Sequence, residues 1–115
     1  MEQAVLTKEK YTNLSRQIVH QLATRFRIIP LNDLPDAKYC LRKPLLITLE
    51  LDDGQFIASL DEIEAFAYAD TEYEAIELLC AEIVQLYEEL VMNDQPVGPL
   101  PRKWRNYLKG VIQCR

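Results

Sequence analysis

Fourteen carboxylates stand between Leu45 and Asp94, and not one Lys or Arg lies among them. Three crowd the turn in "LELDDGQFIASLD" (Glu50, Asp52, Asp53), and more follow in "EIEAFAYADTEYEA". Acids at such density could coordinate a divalent metal, perform acid–base chemistry, or face a basic partner. A calcium loop needs oxygen ligands at alternate positions before its glycine, and "ELDDGQ" lacks them. Acid–base or two-metal chemistry needs carboxylates converging on one pocket. The spacing places Glu50 and Asp52 on the solvent side of a strand and spreads the later acids around the wet face of a helix.

Other chemistry-bearing types are sparse. His20 is the only histidine, set beside Val19 in an amphipathic stretch with no nucleophile motif around it. The three glycines, Gly54, Gly98 and Gly110, form no phosphate-cradling loop. Cys40, Cys80 and Cys114 are too widely spaced for a zinc site and odd in number, so they read as reduced thiols, with Cys80 packed as a small hydrophobe. The expectation is no catalytic residue, no metal and no cofactor. The basic segment "PRKWRNYLKG", with Arg102, Lys103, Arg105 and Lys109, offers a possible nucleic-acid contact, against which the acidic balance of the domain argues.

Those residues must be positioned by a small number of elements. A chain of 115 residues is enough for one ordinary core. At 49% hydrophobic and 27% charged residues it has the composition of a soluble globular domain. Without a basic, apolar leader or an apolar run of membrane-spanning length, it reads as cytoplasmic and without a membrane partner.

Residues 8–26 place Tyr11, Leu14, Ile18, Leu22 and Phe26 at helical spacing, and Pro30 and Pro35 then break regular structure. "LLITLELDD" alternates with period two, so Leu45, Ile47, Leu49 and Leu51 face one way and Thr48, Glu50 and Asp52 the other. Asp53-Gly54 tolerates positive φ and predicts a hairpin to the return strand "QFIASL"; "EAFAYAD" follows as a third strand. Thr71 and Glu74 form a T-x-x-E capping box that opens a long helix with a stripe of Ile76, Leu79, Cys80, Ile83, Leu86, Tyr87 and Leu90. After "NDQPVGPLP" a short basic helix is anchored by Trp104, Leu108 and Ile112.

The expected architecture is α+β, with an antiparallel sheet of about three strands packed on a long helix. An extra N-terminal helix and a short C-terminal helix complete it. Its parts are residues 1–36 (helix and connector), 39–94 (β-β-β-α core) and 95–115 (linker and basic helix), within one domain of residues 1–115.

The segment from Pro44 to about residue 92 resembles the HicB-like antitoxin domain. The likeness rests on Asp52-Asp53-Gly54, the strand Phe56 to Leu60, and Asp70-Thr71 followed by Glu74-Ala75. The chain departs from that pattern in lacking a proline after the second strand and in carrying Ala69 where a glycine is usual. The resemblance implies a degenerate ribonuclease H-like fold and a non-catalytic module that neutralises a small basic RNA-cleaving toxin by direct binding. Glu50, Asp52, Glu72, Glu77 and Glu88 are the expected partner-binding acids. Exposed sheet edges and the amphipathic N-terminal stretch add the expectation of a homodimer or higher homo-oligomer. Two alternatives stand beside this reading: a metal-dependent nuclease of the ribonuclease H-like kind, and a regulator that touches DNA through its basic C-terminal helix.

Overall fold

Asp53 and Gly54 adopt φ of 51° and 79°, the pair of positive values that a two-residue hairpin turn demands. The sheet grows outward from this turn. The computed structural model describes residues 26–93 and 96–115. In chain order its elements are β1 (Phe26–Leu31), β2 (Tyr39–Leu41), β3 (Leu45–Asp52), β4 (Gln55–Leu60), β5 (Ala65–Ala69), α1 (Glu72–Tyr87), α2 (Pro99–Val111) and β6 (Ile112–Cys114). A 3-10 turn, Asp61–Ile63, joins β4 to β5, and a π-helical turn, Glu88–Met92, extends α1.

The main sheet runs β1-β3-β4-β5, antiparallel throughout. Opposed residues share a face, so the pairs Ile29↔Ile47, Leu49↔Ala58 and Ala58↔Ala67 define the inner side. Ile47, Leu49, Ala58 and Leu60 are essentially solvent-free there, beneath Ala75, Leu79 and Ile83 of α1. Burying each large aliphatic side chain contributes about 1.5–3 kcal/mol. The inner residues of β5 are all alanine (Ala65, Ala67, Ala69), which lets α1 lie close against β4 and β5.

Helix α1 starts where the capping pattern says it should. Thr71 has extended backbone, and its hydroxyl accepts the Glu74 N–H at 3.1 Å. Helix α2 begins at Pro99, where a missing N–H costs nothing, and its Leu108 and Val111 are buried.

Two features correct the expected architecture. The sheet has four strands, because Phe26–Leu31, expected as the end of a helix and a connector, pairs along β3. Pro30 lies in that strand, where its missing N–H is tolerated because β1 is at the sheet's edge. Phe26 is therefore a strand residue; the rest of the expected N-terminal helix lies outside the described residues. A second, two-stranded sheet pairs β2 with β6, and it takes Ile112 out of the C-terminal helix. The turn at Asp61 and Glu62 between β4 and β5 is closed by Glu64 at φ 52°.

Candidate protein-binding surface

The hairpin register decides where the acids of β3 point. Glu50 and Asp52 oppose Ile57 and Gln55 on the outer side of the sheet. That side was expected to be wet, and the neighbouring strands make it largely apolar. Phe26 and Ile28 reach it from β1, Leu46 from β3, Ile57 from β4, and Phe66 and Tyr68 from β5. Ile28 is 70% exposed, Leu46 63%, Phe66 61% and Tyr68 58%. Among the described residues no helix packs on this side. They gather in two patches, Ile57, Phe66 and Tyr68 on one side and Phe26, Ile28 and Leu46 on the other, parted by Thr48, Glu50 and Ser59. Single exposed apolar residues are ordinary, and clusters of them are less so.

The outward positions of the four strands carry Glu50 and Asp52 but no Lys or Arg. At the opposite end of β4, Asp61 and Glu64 join Ile57, Ser59 and Phe66 in lining a groove of about 580 Å³. Acids therefore bound the apolar face at both ends of β4.

The remaining expected partner-binding acids lie on the other side of the molecule. Glu72, in the first turn of α1, forms an ion pair with Arg27 of β1. Glu77 is exposed on α1 and accepts a hydrogen bond from the Tyr73 hydroxyl, which raises that phenol above its ordinary value. Glu88 accepts the Tyr39 hydroxyl at 2.9 Å. This bond, with burial second, pushes Tyr39 up to about 12. The sheet thus divides the five acids: Glu50 and Asp52 lie on its open face, and Glu72, Glu77 and Glu88 lie with the helical layer.

A second depression, about 360 Å³, runs between α1 and the loop after β1, lined by Leu31, Leu34, Tyr73, Ile76, Glu77 and Cys80. Burial pushes the Cys80 thiol up to about 11, with Glu77 adding to the effect, so Cys80 is a packing residue rather than a nucleophile. Among the described residues no group of three His, Cys, Asp or Glu side chains is placed to hold a metal ion. His20 lies outside those residues.

Of the basic side chains on α2, Arg105 is turned inward, its Nε donating to the Leu90 carbonyl at 2.6 Å. Arg102, Lys103 and Lys109 are exposed. The apolar face was the feature that sequence reasoning missed, although a signal for it exists. In "AFAYA" every bulky residue alternates with alanine, and if the alanines meet the helix the aromatics must point away. Comparison with protein-family models, with curated proteins and with solved structures finds no match to this chain. Among the described residues no helix is long and apolar enough to cross a membrane.

Proposed function

We propose that this chain is a non-catalytic protein-binding module that engages a small basic protein, the role implied by its resemblance to HicB-like antitoxins. One observation carries the reading. Of the acids from Leu45 to Asp94, thirteen belong to the described residues; ten are exposed, three are half-buried, and the stretch itself holds no Lys or Arg, although Arg27 of β1 pairs with Glu72. A surface that serves only solubility normally mixes the two signs. Single-sign charge steers an oppositely charged partner and raises its association rate. An RNA-cleaving toxin, basic around its site because it grips phosphates, is a partner of the right chemistry.

The test is co-purification of a small basic protein with the tagged full chain, followed by association kinetics across ionic strength. The expected outcome is an association rate that falls about tenfold or more between low and high salt. A rate indifferent to salt counts against the acidic surface as the contact. In parallel, the wild-type chain is expected to show no Mg²⁺-dependent nuclease activity, whereas the nuclease alternative requires activity that an Asp52→Asn/Asp53→Asn variant removes.

A further inference from the structure

We infer that the contact is made by the open face of the main sheet, which takes a protein element presenting apolar side chains flanked by Lys or Arg. This rests on the reading above and adds the surface and the chemistry of its occupant.

Two observations point there. Phe66 and Tyr68 stand outward on β5 beside Ile57 of β4, and Ile28 of β1 with Leu46 of β3 forms a second apolar patch beyond the polar stripe of Thr48, Glu50 and Ser59. Each of Ile28, Leu46, Phe66 and Tyr68 leaves more than half of its surface to solvent. The carboxylates on and around the face are Glu50 and Asp52 towards the hairpin, with Asp61 and Glu64 beside the groove next to Phe66, while the exposed Arg42 and Lys43 precede β3 at its Leu46 end. An occupant that buries the aromatics must lay its own rim against carboxylates at both ends. A rim of positive charge is attracted there, and a negative one is repelled.

Charge argues against a second copy of this chain. Two open faces laid together would set the carboxylates of one copy among those of the other, whereas the Lys or Arg of a basic partner neutralises them.

The experiment is an NMR titration of the isotopically labelled full chain with a synthetic twelve-residue peptide of alternating leucine and lysine. Two control peptides replace either lysine with glutamate or leucine with serine. The expected result is shifts concentrated at Ile28, Leu46, Ile57, Phe66 and Tyr68, weakening with salt and absent for both controls. Phe66→Ser should weaken binding about tenfold, as removal of a central aromatic anchor does. Glu64→Lys, which leaves the aromatics in place, should weaken it as well, with unfolding midpoints confirming that both variants fold.

Shifts confined to the exposed side of α1 would overturn this assignment and leave the proposed function standing. Absence of binding to any part of the chain would overturn both. Concentration-dependent dimerisation abolished by Phe66→Ser would overturn the assignment in favour of a second copy.

Discussion

Asp33 and Arg115, separated by 81 intervening residues, meet through a 3.2 Å ion pair. Arg115 also donates to the Leu34 carbonyl at 2.8 Å and, through Nε, to the Asp36 carbonyl at 2.7 Å. The other Asp33 oxygen accepts the N–H groups of Leu34 and Leu41, each at 2.9 Å. One carboxylate thus fixes the loop after β1, the end of β2 and the residue that follows β6. Asp33→Ala should speed amide exchange at Leu34 and Leu41 while leaving exchange in β3 and β4 unchanged. Unaltered protection at Leu41 would show that β2 and β6 hold the loop without it.

The same carboxylate sets an acid limit. The Leu41 and Leu34 N–H groups, and then Arg115, hold the Asp33 carboxyl below its ordinary value of 3.8. A depressed folded-state value stabilises the fold above the unfolded value, and that contribution disappears as pH falls through the folded one. Wild type should therefore lose stability below pH 3.8 more steeply than Asp33→Asn, as measured by denaturant midpoints at successive pH values. Parallel acid limbs would remove Asp33 from the account.

At the alkaline end the sign reverses. Tyr39 is held protonated by its bond to Glu88, and burial, with the Glu62 charge second, does the same for Tyr107; both are pushed up to about 12. A raised tyrosine value means a contribution fully present below pH 10 and lost between 10 and 12. Phenolate absorbance should show tyrosines that ionise only near that upper limit, and Tyr39→Phe should remove one of them. The Tyr39 ring also meets Tyr87 edge-on at 5.1 Å, a contact that phenylalanine preserves.

The two sides of the sheet should respond differently to truncation. Leu79→Ala, at a fully buried position under the sheet, should cost about 2–5 kcal/mol in chemical denaturation. Phe66→Ala, on the open face, should change stability by less than about 0.5 kcal/mol. A large loss at Phe66 would mean that the face is packed within the folded chain.

Thiol chemistry checks the helix packing independently. Cys114 is exposed, Cys40 half-buried and Cys80 buried. A maleimide should label Cys114 readily and reach Cys80 only on unfolding.

Much of this was legible from local chemistry. The alternation of Leu45, Ile47 and Leu49, the Asp53-Gly54 turn and the Thr71 cap each carry a pattern that nothing elsewhere in the fold opposes. The strand from Phe26 to Leu31 did not, because "FRIIPL" neither alternates nor avoids proline; only its place at the edge of β3 makes it a strand. The open face was hidden for a related reason. Ile28, Leu46, Ile57, Phe66 and Tyr68 come from four strands, and no single stretch displays them together. Glu50 and Asp52 were correctly set on the solvent side of β3, but their apolar neighbours are a property of the register between strands.

The acidic turn has a consequence for folding itself. Strands usually find their pairing because a slip of one residue would expose the core side chains and bury polar ones. In β4 such a slip would turn the solvent-free Leu60 outward together with Phe56 and Ala58, and would bring Gln55 and Ser59 inward beside Ile57. The two left-handed residues of the turn, Asp53 and Gly54, act in the same direction, because their geometry fits one register only. A short, exposed and strongly acidic tip of the molecule thus works with the core as proofreader of its central hairpin.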